Sequence, residues 1–257
     1  MAKSDTIAIN PNHMKTCVIV PVYNHEDAVI KVIEQLKTHS LACYLVNDGS
    51  SAQCKHILAS CVQREPDWLT LINRPVNGGK GAAVLDGFKA AIAQGFTHAI
   101  QIDADGQHDI AAIPDFLAAS KKYQKAMILG CPLFDSSAPK SRMYGRKLTN
   151  FWIAINTLSL AIADGMCGFR LYPLEAVDEL TSTTEIGQRM DFDIDIVVRL
   201  YWQGVDAINI ATKVAYPVNG ISHFRLWQDN LMISKTHAKL FLGMLMRSPK
   251  LLLRHLQ

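Results

Sequence analysis

The feature of this sequence that most constrains its fold is the alternation of short β-rich runs with helical patterns through its first half. Such alternation is typical of βαβ units, so we predict an α/β fold with a mostly parallel sheet flanked by helices. In an open sheet of this kind, ligands bind beyond the carboxyl ends of the strands. The predicted strands lie near Thr16–Pro21, Ala42–Val46, Leu69–Asn73, His98–Asp103 and Ala126–Gly130.

The helical segments are predicted from the spacing of their apolar residues. Asp27–Thr38 is a clear example, and longer helices are expected at Met143–Ala163 and Phe192–Trp202. A chain of 257 residues, 49% of them hydrophobic, is large enough for one α/β domain with a full core. We therefore predict a single domain over residues 1–217, followed by a basic amphipathic helical tail over residues 218–257.

The composition of the chain limits the classes of function that it can have. The formal net charge is only +3, which provides no general field for nucleic acid, and we expect no nucleic-acid partner. The six cysteines are scattered without a C-x-x-C pair, as expected for buried thiols in a reducing compartment. The first residues lack the apolar segment of a secretory signal, and no run reaches about 18 apolar residues, the length of a spanning helix. A cytoplasmic location is the resulting expectation.

Three predicted strands end in unusual polar loops, at 21–24, 47–50 and 103–107, and the Gly-rich loop 77–81 opens a helix. In the third loop, Asp103 and Asp105 should point to one side of the strand end, where two carboxylates are costly unless a cation or a proton relieves them. A divalent ion would do so and would also bind phosphate oxygens. The alternative is a solvated turn with an Asp that caps the next helix.

The other loops also have two interpretations each. Asp48 follows the strand Tyr-Leu-Val, where its carboxylate could accept hydrogen bonds from a nucleobase, but the segment is also an ordinary turn sequence. The glycines around Lys80 could form a backbone cradle and a cation near a diphosphate, or a helix start with a solvated lysine. The loop lacks the Walker spacing, which argues against a P-loop ATPase.

Taken in order, these motifs resemble family 2 glycosyltransferases of the GT-A fold, and most of all the dolichyl- or polyprenyl-phosphate mannosyl- and glucosyltransferase branch. The resemblance covers about residues 16–217. It rests on Pro21–Asn24, Asn47–Ser50, Asn77–Ala83 and Asp103–His108, and it continues through Ser141-Arg142, Gly145–Asn150, Asp164–Arg170 and Phe192–Asp195. The sequence departs from the usual pattern at Asn47, where many relatives have Asp, and at His25, where they commonly have Glu.

The resemblance implies a role for each matching residue. Asp103 and Asp105 would bind Mg²⁺ or Mn²⁺, with Asp105 as the main ligand. The residues implied to bind the nucleotide-sugar donor are Pro21, Tyr23, Asn24, Asp48, Gly79, Lys80, Asp103, Ala104, Asp105 and Gln107. The residues implied to act on the acceptor or in catalysis are Asp164, Asp193, Arg142 and Arg170.

The implied reaction is inverting transfer of a hexose-type sugar from a UDP- or GDP-sugar to a membrane-associated lipid, either a polyprenyl phosphate or another glycolipid precursor. A phosphate acceptor is already anionic and needs cations, for which Arg142, Arg146 and Arg170 are candidates. A hydroxyl of a non-polyprenyl lipid or a saccharide would instead need a general base, Asp164 or Asp193. Both aspartates could also be ordinary turn or helix caps. A nucleotidyltransferase and a non-catalytic sugar-nucleotide scaffold are weaker alternatives.

The tail suggests where the protein works. Residues 219–257 contain six Lys or Arg and a single acid, Asp229, interleaved with large apolar residues. This pattern is typical of a helix in the headgroup plane of an anionic leaflet, and it predicts a peripheral protein at the cytoplasmic face of a membrane. The polar and aromatic segment 218–225 is then expected near the acceptor entrance. Alternatively, the tail packs on the domain or on a partner, including a second copy of the chain.

Overall fold

The computed structural model describes residues 14–134, 140–215 and 225–254. The strands are β1 (Thr16–Val22), β2 (Ala42–Asp48), β3 (Leu69–Arg74), β4 (His98–Gln101), β5 (Met127–Phe134), β6 (Arg170–Pro173) and β7 (Ala207–Val214). The helices are α1 (Glu26–Leu36), α2 (Ala52–Arg64), α3 (Lys80–Ala93), α4 (Ile113–Lys122), α5 (Lys140–Thr157), α6 (Leu174–Thr183), α7 (Phe192–Gln203) and α8 (Leu226–Arg254).

Within the described ranges, the strands form one sheet in the order β3-β2-β1-β4-β6-β5-β7. The pairs β1/β2, β1/β4, β2/β3 and β5/β7 are parallel, and β6 runs antiparallel to β4 and β5. The predicted α/β fold with a mostly parallel sheet is therefore confirmed. Because β1, β2 and β4 share one direction, the loops after them meet at one edge of the sheet.

Several predicted boundaries were wrong, and the strands β6 and β7 were not predicted. The strand β2 extends to Asp48 rather than Val46, and β5 extends to Phe134 rather than Gly130. The strand expected at His98–Asp103 ends at Gln101, which forms the last pair with Arg170 of β6, so Asp103 begins the loop. The helix expected to reach Ala163 ends at Thr157. Leu158 adopts a left-handed conformation with φ of 51°, which a helix cannot continue through.

Alternating residues of the strands fill two cores, one on each side of the sheet. In β1, Cys17 and Ile19 face the core built with α3, α6, α7 and α8, while Val18 and Val20 face the core built with α1, α2 and α4. All six cysteines are free, and the four at positions 17, 43, 54 and 167 are buried. The expectation of buried thiols is met for those four, while the other two are half-buried.

The predicted C-terminal helix exists as α8, but it is not a detached tail. Its inner side chains Ile233, Leu240 and Met244 belong to the core, and the Thr236 hydroxyl donates to Asp191 at 2.9 Å. The helix packs against α5 and α7. The proposed boundary between residues 217 and 218 lies outside the described residues. In the described ranges, no helix combines the length and apolar character needed to cross a bilayer.

The packing of α8 predicts unequal effects of two substitutions on the same helix. Leu240 is fully buried and Leu242 is 63% exposed. We expect Leu240→Ala to lower the free energy of unfolding by about 2–5 kcal/mol, because it leaves a cavity in the core. Leu242→Ala should change it by less than about 0.5 kcal/mol. Urea denaturation measures both, and equal effects would contradict the packing of α8 described above.

Candidate active site

A cavity of about 640 Å³ lies at the sheet edge where the strands β1, β2 and β4 end. Its volume is in the range of small-molecule binding sites, roughly 300–1,000 Å³. The tertiary structure thus brings together most of the residues that the motifs predicted. The predicted residues that line the cavity are Pro21, Tyr23, Asp48, Gly79, Lys80, Asp103, Ala104, Asp105, Gln107 and Asp193.

Asp48, the last residue of β2, organises the glycine-rich loop. Its Oδ1 accepts hydrogen bonds from the backbone N–H of Gly78 at 2.9 Å and from Arg74 at 2.6 Å, and its Oδ2 accepts one from the N–H of Gly79 at 2.8 Å. The side chain is almost completely buried. Both oxygens are therefore committed to protein donors, so Asp48 shapes the cavity by holding the loop before α3.

Asn24 was expected to bind the donor, but it is not among the residues that line the cavity. Its Oδ1 accepts a hydrogen bond from the N–H of Ser51 at 2.8 Å, and its own N–H donates to Ser50 Oγ at 3.1 Å. Asn47, a departure from the family pattern, donates from Nδ2 to Asn73 Oδ1 at 2.8 Å. These two amides therefore join neighbouring loops at the sheet edge.

Lys80 connects the carboxylates of the cavity. Its ammonium lies 2.8 Å from Asp103 Oδ1 and 2.6 Å from Asp193 Oδ2. Burial alone would lower the pKa of Lys80, but the two carboxylates outweigh that effect and raise it above its usual value. Lys80 thus remains a cation in the cavity wall, at the first residue of α3.

Asp103 and Asp105 lie next to each other in the loop after β4. Burial alone would raise the pKa of Asp103, but Lys80 and His108 outweigh it and hold that pKa below its usual range. Burial and the negative charge of Asp103 raise the pKa of Asp105. Asp103 is therefore already paired with protein cations, whereas the charged form of Asp105 is destabilised.

This pair could hold Mg²⁺ or Mn²⁺, because both carboxylates supply the hard oxygen ligands that these ions prefer. A bound cation would also stabilise the buried negative charge of Asp105. In the described part of the chain, no group of three or more His, Cys, Asp or Glu side chains forms a ready metal cage. Mg²⁺ in phosphate-transferring sites is typically held by one or two carboxylates together with substrate phosphates and water. Asp103 and Asp105 fit such a shared site.

Asp193, in the first turn of α7, is the predicted acceptor-side residue that reaches the cavity. Its Oδ1 accepts a hydrogen bond from Gln101 Nε2 at 3.0 Å. Arg170 lies beneath it, fully buried, and donates to the backbone carbonyl of Asp193 at 2.6 Å and to the Tyr172 hydroxyl at 3.2 Å. Arg170 does not line the cavity, and it contacts the backbone of Asp193 from the protein interior.

Asp164 was the other candidate base, and it lies away from the cavity lining. Its oxygens accept hydrogen bonds from Arg146, from Asn150 and from the backbone N–H groups of Met166 and Cys167. Arg146 Nε lies 2.6 Å from Asp164 Oδ2, so this guanidinium is itself held in an ion pair. Asp164 therefore anchors α5 to the loop before β6. The side chain of Arg142 lies outside the described residues.

Sequence reasoning missed part of the opposite wall. Arg189 and Met190 line the cavity from the loop before α7, and Arg225, Asp229 and Ile233 line it from the start of α8. Arg189 also donates to Asn77 Oδ1 at 3.3 Å, which joins this loop to the glycine-rich loop. For Arg189 the only available signal was its position, three residues before the Phe192–Asp195 motif, whereas Arg225 ends the segment 218–225 that the sequence placed near the acceptor entrance.

The sheet order and the carboxylate-lined cavity define the chain as an α/β protein of the GT-A class. Glucosyl-3-phosphoglycerate synthase from Mycobacterium tuberculosis has a similar fold, with a TM-score of 0.65 and 14% identity over 88% of this chain and 80% of that chain. Another structure of that synthase, in complex with Mn²⁺ and UDP-glucose, has a TM-score of 0.62 and 13% identity over 91% and 79%.

The sequence identifies the family more closely. Residues 17–181, more than half of the chain, match glycosyl transferase family 2, and the chain belongs to this family. A dolichyl-phosphate β-glucosyltransferase of Trichomonas vaginalis is 28% identical over 199 residues, 70% of this chain and 59% of that protein. Polyprenol monophosphomannose synthase of Mycolicibacterium smegmatis is 23% identical over 233 residues, 86% and 84% respectively. The predicted family resemblance is confirmed.

The contact between Gly168 and Asp103 predicts how the carboxylate pair can be disturbed. A Cβ at Gly168 would lie 2.0 Å from Asp103 Oδ2, whereas a Cβ at Gly145 would meet nothing within 4 Å. We expect Gly168→Ala to displace Asp103 and to weaken binding of a Mn²⁺–nucleoside diphosphate complex about tenfold or more, as for loss of one charged contact. Calorimetric titrations with UDP and GDP measure this. Gly145→Ala is the matched control, and equal affinities for the two variants would contradict the prediction.

Proposed function

We propose that this chain transfers a hexose-type sugar from a UDP- or GDP-sugar to the phosphate of a membrane-associated lipid, in a metal-dependent, inverting reaction. We propose that it does so as a peripheral protein at the cytoplasmic face of a membrane. Family membership supports the transferase reaction. The relatives named for dolichyl phosphate and polyprenol support the acceptor class, and the Mn²⁺ and UDP-glucose complex of a protein with the same fold supports the donor class.

The donor site is supported by the charges around Lys80. This lysine begins α3, where the helix dipole favours a bound anion, and its ammonium can contact a diphosphate. Asp103 and Asp105 would hold Mg²⁺ or Mn²⁺, which neutralises the charge that develops on the departing diphosphate. Tyr23 and Pro21 line the same cavity on the side where β1 ends. We assign the nucleobase to that side.

The choice of a phosphate acceptor rests on one observation: apart from Asp103 and Asp105, which we assign to the metal, the carboxylates that line the described part of the cavity already accept hydrogen bonds from protein donors. Asp48 accepts three hydrogen bonds, and Asp193 accepts from Lys80 and Gln101. Asp229 is buried and accepts from the N–H of Arg225 at 2.6 Å. A hydroxyl acceptor needs a carboxylate that is available to take its proton. A phosphate oxygen is already anionic and needs none.

Cations for that phosphate are available in the cavity wall. Arg189 and Arg225 both line the cavity, and guanidinium groups bind phosphate oxygens in pairs. Arg142 remains a further candidate. With the phosphate held there, one of its oxygens bonds to the anomeric carbon while the bond from that carbon to the donor diphosphate breaks. The leaving diphosphate keeps the electron pair, and the anomeric configuration inverts.

Donor binding can be tested by thermal shift, because a ligand that binds only the folded state raises stability by about 2.7 kcal/mol at a hundredfold excess over its Kd. We expect a metal-dependent rise in Tm with UDP-sugars or with GDP-sugars, but not equally with both. Asp105→Asn should abolish the metal-dependent part.

The matched control for this panel is Asp178→Asn on the exposed surface of α6, which should respond like the unmodified chain. Equal, metal-independent shifts with all donors, or an unchanged metal response in Asp105→Asn, would refute the proposed donor site.

The acceptor class is tested by comparing a polyprenyl phosphate with the corresponding polyprenol as substrates for radiolabelled sugar transfer. We expect product only with the phosphate, because Arg189 and Arg225 line the cavity, while its described carboxylates are either bonded to protein donors or assigned to the metal. Arg189→Gln should lower the rate with the phosphate by about tenfold or more, as for loss of a hydrogen bond to a charged group. Comparable transfer to the polyprenol would instead establish the hydroxyl mechanism.

A further inference from the structure

Helices α5 and α8 pack against each other and leave a large apolar surface uncovered. On α5 it includes Leu148 and Phe151, and on α8 it includes Trp227, Leu231, Leu242 and Met246. These six side chains, which we call the outer α5–α8 face, are between 58% and 86% exposed. Exposed apolar patches of this kind mark interaction sites in soluble proteins. We therefore expect another molecule to cover this face.

The two sides of α8 are clearly separated. Residues 233, 240 and 244 point into the core, while Trp227, Leu231 and Leu242 follow at spacings of 4 and 11 residues, which place them on one outward side of a helix. The burial of the inner side is complete, so the outer side is not needed for folding. An apolar outer side on a helix already packed in a core indicates a second contact surface.

The exposed charged side chains on the outer sides of α5 and α8 have a single sign. Lys235, Lys239 and Lys250 on α8 and Lys147 on α5 are exposed. The sequence of α5 contains no acid, and the one acid of α8, Asp229, is buried in the cavity wall. An apolar stripe flanked only by cations is complementary to an anionic lipid surface. A two-fold dimer through the same face would instead oppose these cations to each other.

We propose that the outer α5–α8 face is the membrane-docking surface of this protein and that its occupant is an anionic bilayer leaflet. The docking side chains insert among the lipid headgroups, and the lysines contact lipid phosphates. Trp227, 86% exposed at the start of α8, has the amphipathic ring that favours this interface.

The position of this face deepens the proposed function. The first turns of α8 supply Arg225, Asp229 and Ile233 to the cavity wall and, on the other side, expose Trp227 and Leu231. A chain docked through this face therefore holds the acceptor wall of the cavity at headgroup level. A lipid phosphate then reaches Arg225 while its hydrocarbon chain stays in the bilayer. This consequence rests on the proposed function, but the docking itself does not.

Cosedimentation of the full chain with vesicles tests the docking without any nucleotide. We compare vesicles of pure phosphatidylcholine with vesicles that contain one third phosphatidylglycerol. We expect binding to the anionic vesicles that weakens with added salt. Lys235→Gln with Lys239→Gln should reduce the binding about tenfold, and Leu242→Gln with Met246→Gln should reduce it at least as much.

Matched controls lie on the other side of the sheet. Ile30→Gln with Tyr123→Gln removes two exposed apolar residues, and Lys31→Gln with Lys55→Gln removes two exposed cations, and neither pair should alter vesicle binding. Thermal unfolding confirms that each variant is folded. Retention of the nucleotide-dependent rise in Tm in the docking variants separates loss of docking from failure of the donor site.

The proposal is overturned if the unmodified chain ignores anionic vesicles or if the docking variants bind them as well as the controls do. Light scattering detects the other occupants. The unmodified chain could instead form a concentration-dependent dimer and fail to bind vesicles. If the Leu242→Gln and Met246→Gln changes dissociate that dimer, this face is an interface between copies of the chain. Vesicle binding that is abolished only by the control substitutions would place the docking surface elsewhere.

Discussion

The pairing of Lys80 with Asp103 and Asp193 is the interaction on which the rest of the cavity depends. It joins the start of α3, the loop after β4 and the first turn of α7, over separations of 23 and 113 residues. Removing such charges from water costs several kcal/mol per ion unless they pair closely. The cores on both faces of the sheet hold the three elements in place, and Asp103 and Asp193 are therefore paired with Lys80 before any ligand binds.

The residues around this cluster act mainly on one another. Asp48 holds the loop that precedes Lys80, and Arg170 holds the backbone of Asp193 from below. Asp164 fastens α5 to the loop before β6. Such supporting contacts hold the side chains that line the cavity in place before substrate binds. A preorganised site of this kind can stabilise the charge that develops during a reaction. Asp48, Asp164 and Arg170 are thus motif residues whose polar atoms contact other parts of the protein.

The two sides of helix α8 face different surroundings. Its inner side completes the core and part of the cavity wall, while its outer side, together with α5, presents apolar and basic groups to solvent. The residues that stabilise the fold and the residues of the proposed docking surface therefore lie on opposite sides of one helix, and the substitutions of Leu240 and Leu242 address them separately.

The sequence by itself determined the strands β1 to β5 and the polar residues at their carboxyl edge, whereas β6 and β7 were not predicted. Strand-like runs that alternate with amphipathic helices impose parallel strands, and parallel strands place Asp48, Asp103 and Asp105 at a common edge. The sequence could not distinguish Asp193, in the cavity wall, from Asp164, saturated by Arg146 and backbone donors, because the hydrogen-bond partners come from distant elements. Burial of Arg170 and the place of Arg189 were likewise decided by tertiary packing. Local pattern fixes which residues end a strand, but only the assembled core fixes which of their polar atoms remain available to a ligand.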